Sequence, residues 1–160
     1  TVFSISMRPV SFEFIERRAM SKNYKQRLEL LPSDAVMISG SQTIAVTYWA
    51  SIGAGHWETI GTGGGWPGDG LFAVVEGHLA KGKRVFIDSD PRWWLPCGWQ
   101  RDEIPRIVEL EQHFRFRRVT DVIFELRPMT DSTAQDTPDL KRLLPENRPE
   151  DAKKCPGSRI

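Results

Sequence analysis

Residues 88–103 read DSDPRWWLPCGWQRDE, with two carboxylates two residues apart and tryptophans at positions 93, 94 and 99. If a strand runs through Asp88 and Asp90, both side chains leave on the same side. Oxygens so placed suit a hard cation or the hydroxyls of a sugar. A cation needs more ligands than two carboxylates, and the spacing supplies no third, so no metal is expected. The same residues also have a plainer use. Asp90-Pro91 starts a turn, and Asp102 is placed to begin the next helix. Trp93, Trp94 and Trp99, with Trp66, either stack on sugar rings or a partner, or fold a long loop back over the sheet.

A second candidate is the glycine-dense stretch ETIGTGGGWPGDGLF, residues 58–72. Glycines before a helix let backbone N–H groups approach a phosphate. The stretch has no Lys-Ser or Lys-Thr pair for a P-loop, and Trp66-Pro67 interrupts the tight turn a dinucleotide fingerprint needs. Asp69, at the helix entrance, would repel an anion. The stretch therefore reads as a connecting corner in a place where a ligand can bind. His56, His78 and His113 show no metal spacing, no nucleophile elbow is present, and no complete catalytic set or cofactor is assigned. Cys97 and Cys155 match no zinc or redox spacing, and whether they pair is left open.

These residues must be positioned by regular elements. SFEFIERRAMSKNYKQRLELL has apolar residues at broadly helical spacing, giving a first helix over 12–31 that ends at LPSD. AVMISG reads as a buried strand, SQTIAVTYWASIGAG as a helix and HWETIGT as a weaker strand. In DGLFAVVEGHLAKGK, Leu71, Phe72, Val75 and Leu79 share a helical face, with Asp69 as cap and Gly82 as stop. RVFIDSD is the clearest strand. RDEIPRIVELEQHF is a helix in which Pro105 is tolerable only in the first turn. RFRRVTDVIFELRP makes one strand, or two in a hairpin turning near Thr120 and Asp121, with Arg115 and Arg117 on the face opposite Phe114 and Phe116.

This alternation of helix and strand predicts an α/β fold: a three-layer sandwich with a small, mostly parallel, Rossmann-like sheet. Residues 1–128 form a single domain, and 129–160, rich in proline and charge, form a mostly disordered tail apart from a turn of helix around Leu140–Leu144. In a parallel sheet, ligands gather outside the carboxyl ends of the strands. The candidate ligand-binding set is thus Ser39, Ser41, Gly61, Thr62, Gly63, Asp69, Asp88, Asp90 and Trp93.

At 160 residues, 39% hydrophobic and 27% charged, the composition is that of a globular chain with one core. A formal charge of +1 argues against nucleic acid as a partner. No apolar run of about 18 residues is present to span a membrane, and no signal peptide is visible.

LPSDAVMISGSQTIAVTYW, a glycine-broken stretch, GKRVFIDSD and FELRP together resemble the soluble tail domain that follows the membrane helices of some bacterial multi-spanning glycosyltransferase-like proteins. The resemblance covers roughly residues 10–128, and its motifs occur in many α/β domains. It implies a non-catalytic accessory domain, membrane-attached through a missing N-terminal region, with the membrane-embedded part of the same polypeptide as partner and a glycan as ligand. No catalytic residue carries over. The first residue, Thr1, and the proline-rich end are read as fitting an excised C-terminal piece. The alternative is a free-standing domain that binds a small polar ligand, a nucleotide or a sugar phosphate.

Overall fold

The computed structural model describes residue 26 and residues 29–39, 58–61, 70–91, 94 and 100–148. Strand β1 (Val36–Ser39) is followed by β2 (Glu58–Gly61), helix α1 (Gly70–Ala80), β3 (Val85–Asp88), helix α2 (Gln100–His113), β4 (Phe114–Arg118) and β5 (Ile123–Pro128). Two 3-10 turns, Leu140–Leu143 and Pro145–Asn147, come after β5. The helices expected over 12–31 and 41–55 lie almost wholly outside the described residues.

The five strands form one sheet in the order β2-β1-β3-β5-β4. β1 pairs in parallel with both β2 and β3, whereas β5 pairs antiparallel with both β3 and β4. The expected three-layer sandwich with a mostly parallel sheet is therefore corrected to a mixed sheet, with two helices among the described residues. The reason lies in the connections. A parallel neighbour needs a crossover of a dozen or more residues, but only a short turn separates β4 from β5, so those two strands must run in opposite directions. β5 then lies between β3 and β4 and reverses the direction on both of its sides.

The turn is built from its own residues. Thr120 Oγ1 accepts from the N–H of Ile123 at 2.9 Å, and Val119 N–H donates to the Ile123 carbonyl at 2.9 Å. Register then sorts the side chains. Val36, Ile38, Val85, Ile87, Phe124, Leu126, Phe114 and Phe116 share one buried face, while Met37, Phe86 and Ile123 are buried on the other. Apolar residues on both faces of β1 and β3 explain why those strands read as continuous apolar runs rather than alternating ones.

Helix α1 buries Leu71, Phe72 and Val75 and packs against β3 and β5. It ends as its sequence suggests. Gly82 takes φ 74, its N–H donates to Leu79 O at 2.9 Å, and Lys83 N–H donates to His78 O at 3.1 Å. Those two bonds are a Schellman motif, which favours glycine at the left-handed position. Helix α2 buries Ile104, Ile107 and Leu110. Pro105 lies in its second turn rather than the first, on the exposed side, where its ring meets solvent.

Past residue 128 the chain remains packed as far as 148, where the sequence reading expected a mostly disordered tail. Asp136 N–H donates to Phe116 O at 3.0 Å and its carboxylate accepts from Arg118 N–H at 2.8 Å, covering the outer edge of β4. Leu140 and Leu143 are fully buried, and Leu140 N–H donates to Glu111 Oε1 of α2 at 2.7 Å. Proline and charge mask this segment's few apolar anchors, which composition alone averages away. Leu140→Ala should lower stability by about 2–5 kcal/mol, the usual cost of a buried leucine truncation. Urea denaturation would show this as a lower midpoint, and an unchanged midpoint would mean that the segment is not part of the cooperative fold.

Candidate functional site

The paired registers place the carboxyl ends of three strands side by side. Ser39 of β1 pairs with Gly61 of β2, and Ile38 pairs with Ile87, so Ser39 also lies next to Asp88 of β3. From β1 the chain goes to β2 on one side, then crosses back through α1 to β3 on the other. The strand order reverses between β1 and β3. Such a switch point leaves a crevice outside the carboxyl ends of the two strands, since the connections there depart in opposite directions.

One wall of this place is the segment after β3. Asp88, Ser89 and Asp90 are all buried, with 1%, 0% and 5% exposure. Asp88 Oδ1 accepts from Asp90 N–H at 2.8 Å, an Asx turn, so Asp90 lies past the strand rather than two positions along it. Ser89 donates twice to Val122 O, from N–H at 2.7 Å and from Oγ at 3.0 Å, tying the segment to the start of β5. Trp94 is 1% exposed, and its indole N–H donates to Asp88 O at 2.6 Å. This tryptophan folds the loop back; Trp66, Trp93 and Trp99 lie outside the described residues. Finally, Arg148 Nη1 donates to Pro91 O at 3.1 Å and its Nε to Leu143 O at 2.7 Å.

Of the expected ligand set, Ser39, Gly61 and Asp88 come together at the strand ends, with Asp90 two residues on. Ser41, Thr62, Gly63, Asp69 and Trp93 lie outside the described residues, as do His56, Cys97 and Cys155. His78 is half-buried in α1, and His113 stacks on Phe72 with ring centroids 4.0 Å apart. Among the described residues no group of three or more His, Cys, Asp or Glu could hold a metal ion, and no helix is long and apolar enough to cross a membrane.

A second polar cluster escaped the sequence reading. Glu125, in the middle of β5, is fully buried and lies opposite Phe86 on one side and Arg117 on the other. Its carboxylate receives a bidentate pair from Arg84, Nε to Oε1 at 2.8 Å and Nη2 to Oε2 at 3.0 Å. Arg117 donates to Oε2 through both Nε, at 3.1 Å, and Nη2, and Arg127 Nη1 lies 3.4 Å from Oε1. Burial pushes the Glu125 carboxyl up, but the hydrogen bonds and charges of Arg84 and Arg117 outweigh it and hold the group below the ordinary carboxylate range. Arg127 also donates from Nε to Asp131 at 2.9 Å. With the Thr133 hydroxyl as the larger cause, this lowers Asp131 to about 2. A signal for the cluster existed: the alternation of RFRR against FELR sets a glutamate among arginines once the strands are known to be antiparallel.

No family model, no curated protein and no solved structure matches this chain. The resemblance to glycosyltransferase-like tail domains thus gains nothing from those comparisons, and the geometry must carry the functional reading.

Two outcomes follow from these contacts. Glu125→Gln should destabilise the fold by about 1.5–3 kcal/mol, because a neutral amide replaces the charged acceptor of the arginine hydrogen bonds. A group whose folded pKa is depressed contributes stability above its unfolded value, about 4.3 for glutamate, and loses it as pH falls through the folded value. Thermal melts from pH 5 to pH 2 should therefore fall more steeply in the parent than in Glu125→Gln, and parallel curves would refute that role. Trp94→Phe removes the indole donor to Asp88 O and should cost about 1–3 kcal/mol in urea denaturation. A cost near zero would show that the loop holds without it.

Proposed function

We propose that this chain is a non-catalytic binding domain for a small polar ligand, a nucleotide or a sugar phosphate, held outside the carboxyl ends of β1 and β3. The observation that supports this reading is the reversal of strand order there, with Ser39, Gly61 and Asp88 brought side by side by register. A binding role suits the chemistry better than a catalytic one. Asp88 spends one carboxylate oxygen on the turn that follows it, and its backbone carbonyl is taken by Trp94. A general acid or base must instead be free to exchange a proton with a bound substrate. No feature of the described residues favours an accessory domain of a larger membrane-associated protein over a free-standing one, so the ligand is proposed and the setting is not.

The test is a thermal-shift screen of nucleoside monophosphates and hexose phosphates at matched ionic strength, followed by amide chemical-shift mapping. A ligand at about 100 times its Kd should raise the melting temperature by roughly 5–10 °C and move the amides of Ser39, Gly61 and Asp88. If no compound stabilises the protein, or if the binders leave those three amides unmoved, the proposed site is wrong.

A further inference from the structure

We propose that Arg148 is the anion-holding residue of this binding site, and that the ligand presents a phosphate or carboxylate oxyanion to it. The inference rests on the strand-end reading and adds the charge of the ligand. Arg148 is 4% exposed, so its guanidinium is almost wholly removed from water. Among the described residues it donates to two carbonyl oxygens, Leu143 O and Pro91 O, and its buried Nη2 has no partner there. No carboxylate among the described residues neutralises it. An arginine keeps its charge under almost any condition, and a buried charged donor left unmade is costly, so native structures fill such positions with an ion, a ligand or water. Burial indeed lowers the basicity of this group, with nothing opposing it.

The position of the group supplies the second, independent argument. Pro91 is three residues beyond the end of β3, so the contact at 3.1 Å brings the guanidinium to the segment that forms one wall of the switch point. With Nε committed to Leu143 and Nη1 to Pro91, the nitrogen left to give is Nη2. Its hydrogens can donate to an oxyanion in a charge-assisted bond, the contact by which arginine holds carboxylate and phosphate. Sequence reading had no route to this residue, which stands in a segment whose composition resembles a solvated tail.

The experiment uses the full chain, with inorganic phosphate and acetate as probes against sodium chloride at equal ionic strength. Phosphate, or acetate if the site takes a carboxylate, should raise the melting temperature and shift the amides of Trp94 and Leu143. Arg148→Met should lose at least 30-fold in affinity for that probe, and Arg148→Lys, which keeps the charge but not the fork, about tenfold. A parent protein indifferent to both probes overturns the proposal, as does an Arg148→Met variant that responds like the parent. Should Arg148→Met fail to fold, Arg148→Lys decides alone, and unchanged affinity in that variant refutes the role. The two readings separate cleanly. A neutral nucleoside or sugar that moves Ser39, Gly61 and Asp88 equally in parent and variants retains the strand-end site and overturns the role of Arg148. Phosphate shifts that depend on Arg148, with Ser39 and Gly61 unmoved by every ligand, support Arg148 and overturn the strand-end site.

Discussion

Everything in the sheet turns on the placement of β5, and β5 is held at its midpoint by one enclosed carboxylate. Burying a glutamate in the middle of a strand costs several kcal/mol unless its oxygens are fully engaged. Glu125 meets that demand with arginines from three places: the approach to β3, strand β4 and its own strand two residues on. The arrangement is demanding in register. A slip of one residue would send Glu125 to the apolar face and Leu126 to the arginines, and both would be left without suitable company. The cluster therefore fixes β5 between β3 and β4 as well as contributing to stability. The arginines remain partly exposed, with side chains at 36–48%, which keeps their own desolvation modest.

That reversed strand has a consequence at the other end of the sheet. By taking the place beside β3, β5 ends the parallel part of the sheet at three strands and brings Val122 within reach of Ser89. The segment after β3 is thereby tied to the start of β5. Trp94 and Arg148 then close on the same segment, through Asp88 O and Pro91 O. A mobile loop with two carboxylates would be a poor wall for a binding crevice. One fixed by four hydrogen bonds to other parts of the chain is already organised, so little ordering entropy remains to oppose a ligand.

What was legible in the sequence was local. The helix stop at Gly82 could be foreseen because a Schellman end needs a residue tolerant of positive φ. The buried face of α1 and the apolar runs of β1 and β3 follow from periodicity. The carboxyl-end loops of those strands could be named because the three-strand parallel part obeys the crossover rule. The hairpin turning near Thr120 and Asp121 was legible and is the antiparallel pair β4 and β5, but its neighbour in the sheet was not, since RFRRVTDVIFELRP has the same alternation whichever strand it joins. The two-residue separation of Asp88 and Asp90 misled for a related reason: it assumes a continuing strand, and the Asx turn ends the strand at Asp88. A turn of helix around Leu140–Leu144 was legible and is the 3-10 turn Leu140–Leu143, but that this turn and Arg148 anchor a packed segment was hidden by averaging, because a few anchoring residues do not change the composition of a stretch dominated by proline and charge.

The two buried charges differ in a way that bears on function. Glu125 is over-supplied, one carboxylate among three guanidinium groups, and its chemistry is complete within the protein. Arg148 is under-supplied, a guanidinium resting on neutral carbonyl oxygens with one nitrogen unmet. Carbonyl dipoles soften the cost of a buried cation but do not cancel its charge. If stability alone governed the position, an apolar side chain of similar volume would serve better, as replacements of buried ions elsewhere show. An uncompensated charge held on the segment after β3 is the arrangement expected when the compensating group arrives from outside. The polarity of the fold thus separates into a self-contained cluster that sets strand register and an incomplete one at the strand ends, where an oxyanion would supply the missing charge.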